Sequence, residues 1–333
     1  MVDVLLQLLL FSAKAIIVVL LILVLLAGIL ALFSKGKDKS KGRICIKNLN
    51  DKFLQTSEDL LSEILPKKYF KKFAKEKKAT EKAKNDIDPA KQKNVFILNF
   101  NGDIKATAVT ALREEITALL NIATPKDEVL VRLESAGGMV PAYGLAAAQL
   151  SRIREKQIPL IISVDKIAAS GGYMMACVAN KIIATPFAII GSIGVIAQLP
   201  NFHRFLRDKN IDFEQVTAGN YKRTLSLFGE NTKEGREKLR EEIEEIHDLF
   251  KNLISDYRKN IDIEKVSTGE IWSGKIALEL KLIDELKTSD DYILEQSKNA
   301  NLYEINYRMK KTITEKLTSS ARTFKDELFS VIS

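Results

Sequence analysis

The stretch EVLVRLESAGGMVPAYGLAAAQLSRIREKQIPLIISV (residues 128–164) predicts the architecture of the chain. Its first eight residues form an apolar strand pattern, residues 140–156 have helical spacing, and residues 159–164 form another apolar strand. A strand, a helix and a further buried strand in this order are typical of a parallel βαβ unit. We therefore expect an α/β protein with a largely parallel sheet.

The same alternation continues on both sides of this unit. Further strands are expected at residues 95–100, 189–197 and 213–219, and helices at 107–123 and 232–261. No repeat at a fixed period is visible. One α/β domain is therefore expected over residues 95–300, followed at 301–333 by a strand and an amphipathic helix.

The N-terminus contains AIIVVLLILVLLAGILALF (residues 15–33), which carries no charge over 19 residues. This length is sufficient for a helix to cross the hydrocarbon core of a membrane. A cleaved signal peptide would have a shorter apolar region and small residues at its cleavage site, whereas Phe33 and Ser34 are followed by Lys35. Residues 1–34 are therefore expected to form a transmembrane anchor.

Basic residues are concentrated in one segment. Residues 35–93 hold 18 Lys and Arg against 9 Asp and Glu, which leaves 33 and 34 for the rest of the chain. Residues 35–94 are therefore expected to be a Lys-rich connector. No nucleic-acid partner is expected, because the folded part lacks a basic face. Residues 66–73 could lie on anionic membrane lipid or form a solvated linker helix. The basic flank favours a cytoplasmic position for the residues on its C-terminal side.

Glycine-marked loops follow several of the expected strands. In parallel α/β folds, catalytic groups collect at the carboxyl ends of strands. The Gly137–Gly138 pair suits an oxyanion hole, because adjacent glycines let backbone N–H groups approach a ligand, and it equally suits a tight turn. Ser170 stands where a helix begins, which suits both an N-cap and a nucleophile. Lys222 follows a further glycine loop and reads as a surface residue or, if buried and neutral, a base.

Other catalytic and metal-binding arrangements have little support. The chain holds only His203 and His247, and neither has an obvious orienting carboxylate, so a Ser-His-Asp triad is unsupported. Cys45 and Cys177 have no metal-ligand spacing, and no disulfide is expected between them. No metal and no cofactor are therefore expected.

Four short motifs occur in order: ESAGGMVPA (134–142), KIAASGGYMMA (166–176), IIGSIGV (189–195) and GNYKR (219–223). Together they resemble the motifs of the signal peptide peptidase A (SppA) and SohB serine proteases. The SohB branch is the more similar, since it has an N-terminal membrane segment, a Lys-rich connector and a single protease repeat. The resemblance implies a ClpP/crotonase-like fold.

The resemblance also implies residue roles. Ser170 matches the nucleophile, Lys222 the general base, and Ser192 a serine that orients the lysine amine. The oxyanion hole would use backbone N–H groups of Gly137, Gly138 and Gly171. This chain has Ala136 where the family often has proline, which backbone donors do not require.

Partners and location are implied by the same resemblance. It implies peptide or unfolded-protein substrates such as remnant signal peptides, and a homo-oligomer with active sites at or near subunit interfaces, in which Lys222 could serve Ser170 of its own or of a neighbouring protomer. It implies a single-pass protein of the bacterial inner membrane with its catalytic domain on the periplasmic side, against the indication of the basic flank. The alternatives are a crotonase-like acyl-CoA enzyme, which would need neither Ser170 nor Lys222, and a non-enzymatic membrane scaffold.

Overall fold

The computed structural model of the chain describes residues 2–34, 42–73, 75 and 92–308. The contacts divide the chain into two units, and the larger one, Ile44–Tyr307, contains the sheet and every candidate site residue. The amphipathic helix expected beyond residue 308 lies outside the described residues.

The N-terminal apolar run forms a helix, α1 (Val2–Ser34). Its Leu10–Gly28 stretch has a mean hydropathy of 2.9, and none of it is buried within the protein. Among the residues described, it is the one helix long and apolar enough to cross a membrane. The membrane anchor remains a prediction.

The remaining elements alternate as the apolar pattern predicts. The strands are β1 (Arg43–Asn48), β2 (Lys93–Gly102), β3 (Glu128–Ser135), β4 (Leu160–Val164), β5 (Ile167–Ala169), β6 (Lys181–Ala184), β7 (Ile189–Gly191), β8 (Ile271–Ser273), β9 (Glu285–Leu286) and β10 (Ala300–Arg308). The helices after α1 are α2 (Leu49–Ile64), α3 (Val109–Leu120), α4 (Val140–Glu155), α5 (Gly171–Ala176), α6 (His203–Asp208), α7 (Lys233–Tyr257), α8 (Ile263–Val266), α9 (Gly274–Glu279) and α10 (Ser289–Gln296). Residues 67–73 are also helical.

The main sheet has the strand order β1-β10-β2-β3-β4-β6-β9. The pairs from β10 to β9 along this order are parallel. The α/β class expected from the sequence is thus confirmed.

Both faces of the main sheet are covered, which explains why its strands are continuous apolar runs rather than alternating ones. On β2, Phe96, Leu98 and Phe100 belong to the core packed by α3, α4, α5 and α7. Val95 and Ile97 point to the other face, which is covered by α2 and α10. β1 and α2 therefore belong to the folded unit.

The strand β3 positions the candidate site. Its first part pairs with β4, through Val129–Arg132, and its last residue, Ser135, pairs with Ala168 of β5. The β5 strand then pairs with β7, and β7 pairs antiparallel with β8. The end of β3 therefore joins the main sheet to a small second layer formed by β5, β7 and β8. Ser170 follows directly after β5.

Two expected strands differ from the structure. The expected strand at 189–197 stops at Gly191, because Gly191 and Ser192 both have positive φ angles, +110° and +51°. The expected strand at 213–219 is irregular, and Val216 is 97% exposed. It lies in residues 195–231, hereafter the arm, in which no residue is buried. A strand pattern without a layer to pack against does not form a strand.

Candidate active site

Ser170 lies between β5 and α5 in an uncommon backbone conformation, with φ 51° and ψ −120°. Such a conformation costs of order 1–3 kcal/mol in a non-glycine residue and persists only when its surroundings impose it. Two hydrogen bonds do so here: Ser170 N–H donates to Gly191 O at 2.8 Å, and Ser170 O accepts from Met174 N–H at 2.9 Å. The half-buried side chain caps no helix N–H, so its hydroxyl is not used as an N-cap.

The loop after β3 lies directly against Ser170. Gly137 has φ +89°, and a Cβ atom on it would stand 2.8 Å from Ser170 Cβ and 2.6 Å from Gly171 N. A Cβ on Gly138 would overlap the backbone of Ile104. Both positions therefore require glycine, because backbone approaches backbone at the nucleophile.

The two glycines after Ser170 are also required by packing. A Cβ atom on Gly171 would overlap the ring of Tyr143, and one on Gly172 would overlap Ser135 O. These contacts press the start of α5 against the end of β3 and the side of α4. Ser170 and the Gly137–Gly138 loop are thus held by one packed unit.

The candidate oxyanion donors differ in their hydrogen bonding. Gly137 N–H donates to Ser135 Oγ at 3.1 Å. Within the described part of the chain, the N–H groups of Gly138 and Gly171 have no protein partner. Backbone donors without a partner beside a nucleophile are what stabilisation of an acyl-transfer intermediate requires.

Ser192 is brought to the same layer by β7. Gly191, the residue before it, pairs with Ala169 and accepts the hydrogen bond of Ser170 N–H. Ser192 itself has φ +51°, and its N–H donates to Glu270 O at 2.6 Å. Its side chain is half-buried and makes no hydrogen bond to the residues described. Ser192 is therefore held near Ser170 by backbone contacts, with its hydroxyl left available.

Lys222 is not part of this packed unit. It lies exposed in the arm, where its N–H donates to Gly219 O at 3.2 Å. In the described ranges, its amine forms no hydrogen bond or ion pair with Ser170 or Ser192. The structure of a single chain therefore brings together Ser170, Ser192 and the glycine loop, but not the expected base.

The remaining reactive side chains offer no competing site. His203 begins α6 and His247 lies on α7, where its buried Nε2 has no partner among the described residues. Both cysteines are free, and burial raises the pKa of the Cys177 thiol to about 12, which keeps it protonated. In the part of the chain that the structure describes, no group of three His, Cys, Asp or Glu residues could hold a metal ion.

One part of the site carries no signal in the sequence. Tyr143 and Ser135 are buried beneath the Gly137 loop, and their hydroxyl oxygens lie 2.5 Å apart. In the sequence, Tyr143 is one apolar position of a helix and Ser135 the end of a strand. Their contact depends on how α4 crosses β3. The sequence pattern of neither element predicts this crossing.

Comparison with known proteins identifies related chains. The family models Peptidase family S49 N-terminal and Peptidase family S49 match residues 3–150 and 152–303. Among solved structures, a membrane-bound stomatin-specific protease, 1510-N, aligns with 62% of this chain and 84% of its own, with 16% identity and a TM-score of 0.42. ClpP1 of Listeria monocytogenes aligns with 60% of this chain and 93% of its own, with 15% identity and a TM-score of 0.38.

A curated relative is similar over nearly the whole length. The probable protease SohB of Haemophilus influenzae is 44% identical over 317 residues, which cover 92% of this chain and 90% of the relative. Together with the two family models, this similarity spans both the N-terminal region and the segment that contains Ser170. The chain therefore belongs to peptidase family S49 and is a serine protease.

Proposed function

We propose that the chain is a membrane-anchored endopeptidase that uses a Ser170–Lys222 dyad. The observation that carries this proposal is the conformation of Ser170. Its φ of 51° turns it out of the strand, its side chain caps nothing, and unpartnered amides of Gly138 and Gly171 lie on the adjoining backbone. A strained residue held rigidly beside free donors is typical of a nucleophile.

The reaction needs only side chains and water. Neutral Lys222 Nζ accepts the proton of Ser170 Oγ as that oxygen attacks a peptide carbonyl carbon. The resulting oxyanion accepts hydrogen bonds from the amides of Gly138 and Gly171, with Gly137 adjoining them. The lysine then gives its proton to the leaving amine as the peptide C–N bond breaks. Water, activated by the same amine, hydrolyses the acyl-enzyme and restores Ser170.

An exposed lysine is a poor base at neutral pH, because its amine stays protonated. Burial lowers a lysine pKa, and a second protomer would bury the arm and supply hydrogen-bond partners such as Ser192. The arm exposes many large apolar side chains, which is typical of a surface that another protein covers: Ile196, Leu199, Phe202, Phe205, Ile211, Phe213, Val216 and Tyr221. The dyad is therefore proposed to form in trans, within a homo-oligomer.

Substrate and location are proposed from the anchor and the family. With α1 in the bacterial inner membrane, the active site would act on unfolded chains and membrane-derived peptides, including remnant signal peptides. The catalytic domain is proposed to lie on the periplasmic side, with membrane lipid contacting α1 and the basic residues after it. Neither an acyl-CoA enzyme nor a scaffold gains support from the matched family.

The test is hydrolysis of fluorescein-labelled casein by the full chain in detergent micelles. Wild type is compared with Ser170→Ala, Lys222→Ala, and the two variants co-expressed; Lys209→Ala, another exposed lysine of the arm, is the control. We expect each dyad variant alone to lose activity by on the order of 10⁴-fold or more. We expect co-expression to restore part of it, and Lys209→Ala to keep it.

Each other outcome removes one part of the proposal. Activity retained by Ser170→Ala would overturn the nucleophile, and activity retained by Lys222→Ala would overturn the base. Two inactive variants that stay inactive when co-expressed would show that the dyad forms within one chain.

A further inference from the structure

A chain of buried hydrogen bonds runs beneath the proposed oxyanion hole. Gly137 N–H donates to Ser135 Oγ at 3.1 Å, Ser135 Oγ lies 2.5 Å from the Tyr143 hydroxyl, and that hydroxyl donates to the backbone carbonyl of Asp103 at 2.8 Å. Ser135 is 2% exposed and Tyr143 is fully buried. The chain of hydrogen bonds therefore connects the loop beside Ser170 to the end of β2 through two buried hydroxyl groups.

The direction of every proton in this chain is fixed by its two ends. An amide N–H can only donate and a carbonyl oxygen can only accept. Ser135 must therefore donate to Tyr143, and Tyr143 must donate to the Asp103 carbonyl. Burial raises the pKa of the Tyr143 hydroxyl, so the group stays neutral and keeps the proton it donates. Hydrogen bonds aligned in one direction polarise and strengthen one another.

The ring of Tyr143 reaches the other side of the proposed oxyanion hole. A Cβ atom on Gly171 would overlap this ring, so Gly171 rests directly on it. A Cβ atom on Gly102 would stand 2.5 Å from both hydroxyl oxygens, so β2 closes the remaining side. One side chain thus contacts Gly171 with its ring and supports the Gly137 loop through Ser135.

We propose that Tyr143 and Ser135 are positioning residues that set the distance between the two groups of oxyanion donors, the Gly137–Gly138 loop and the Gly171 amide. Neither touches the substrate. The inference rests on the proposed function of Ser170 and the glycine amides. It predicts that the two hydroxyls affect the transition state more than substrate binding, because oxyanion contacts form only after attack.

The test measures kcat and KM for labelled casein with the full chain in micelles. Tyr143→Phe keeps the ring and removes the hydroxyl, while Ser135→Ala removes the acceptor of Gly137. We expect each variant to lose roughly ten- to hundredfold in kcat, with KM changed less than about twofold. The double variant should lose no more than the worse single one, because both hydroxyls act through one chain.

A matched control separates positioning from folding. Tyr292 is also buried, and its hydroxyl donates to Glu128 Oε1 at 2.7 Å on the opposite face of the sheet. Tyr292→Phe should lower the melting temperature about as much as Tyr143→Phe while keeping kcat. Inhibition by a peptide aldehyde, whose adduct with Ser170 carries the oxyanion, should weaken in Tyr143→Phe by the same factor as kcat.

The outcomes distinguish this inference from the proposed function. If Ser170→Ala is inactive while Tyr143→Phe and Ser135→Ala keep wild-type kcat and aldehyde affinity, positioning is wrong and the dyad stands. If Ser170→Ala remains active, the proposed function fails first. If Tyr143→Phe and Tyr292→Phe lose kcat equally, the loss reflects stability, and the positioning role is overturned.

Discussion

The layer that carries Ser170 and the arm that carries Lys222 differ in nearly every structural respect. Around Ser170, the strands β5 and β7 and the helix α5 are largely buried. In the arm, no residue is buried and Val216 is 97% exposed. The surroundings of Ser170, the proposed nucleophile, are complete within one chain, so its geometry depends on tertiary packing. The surroundings of Lys222, the proposed base, are incomplete within one chain, so its role depends on assembly.

The largest expected difference compares two glycines with the same backbone requirement. Gly137 has φ +89° and lies against Ser170 and Gly171, whereas Gly219 has φ +95° and only Lys222 Cβ nearby, at 3.9 Å. Alanine adds about 1–2 kcal/mol of backbone strain at either site. At Gly137 it also adds overpacking of about 1–3 kcal/mol. We expect Gly137→Ala to destabilise strongly and to abolish casein hydrolysis.

Gly219→Ala should lower the free energy of unfolding by no more than this backbone strain, and the variant should keep most of its activity. Urea denaturation and casein hydrolysis measure both effects. Equal losses of stability at the two glycines would contradict the contrast between a packed layer and an open arm.

The next comparison, between two phenylalanines, concerns stability rather than activity. Phe100 is 1% exposed in the core, and its ring meets that of Tyr143 with centroids 6.4 Å apart. Phe228 is 39% exposed in the arm, beside Phe202 and Phe213. Phe100→Ala should cost about 3–5 kcal/mol of unfolding free energy. Phe228→Ala should cost under about 1.5 kcal/mol in the dissociated chain.

The same two variants report on assembly. Sedimentation should show that Phe228→Ala weakens self-association, since its cluster lies in the proposed interface, while Phe100→Ala leaves the association of folded molecules unchanged. If Phe228→Ala associates as strongly as the wild type, the arm does not contribute to assembly and the proposed interface is wrong.

The smallest expected effect concerns a buried carboxyl group. Burial raises the pKa of Glu115, although its carboxylate accepts a hydrogen bond from Tyr307 N–H at 2.7 Å. A raised pKa in the folded state gives stability that is present below the unfolded value, near 4.5, and is lost as the pH rises through the folded value. Glu115→Gln removes this loss, because glutamine cannot ionise.

We therefore expect Glu115→Gln to raise the melting temperature at about pH 8 by about 2 °C or less, and the gain to vanish below about pH 4.5. Glu214→Gln, at an exposed carboxylate of the arm, is the control. Circular dichroism at both pH values measures this, and a lower melting temperature for Glu115→Gln at the higher pH would contradict it.

The sequence predicts the central elements well, because their signals are local and redundant. For β3, the expected bounds coincide with the observed Glu128–Ser135, and the α4 helix differs by one residue at its end. Apolar runs bounded by glycine loops and helical spacing suffice to place such elements. The same local signals place Ser170 at a junction of strand and helix, whereas its role as a nucleophile is implied by the family resemblance and stays a proposal.

Elsewhere, the outcome depends on neighbours that a local pattern does not contain. Phe213 and Val216 belong to an expected strand, but both are exposed, and no layer among the described residues covers them. The strand expected at 189–197 stops at Gly191, where φ turns positive, and Ser192 N–H then pairs with the distant Glu270 O. The support of Gly137 by Tyr143 arises from the crossing of α4 over β3.

The position of β10 has a consequence for the order of events in biosynthesis. This strand lies between β1 and β2, and Asn301 contacts Asn94 across 207 residues of chain. In the described sheet, β1 has β10 as its neighbour and nothing on its other side. Until the ribosome has released residues 300–308, the edge of β2 is open and β1 has no partner. Contacts so distant in sequence form late and slowly. The sheet of the nascent protease therefore stays incomplete until residues 300–308 have been made.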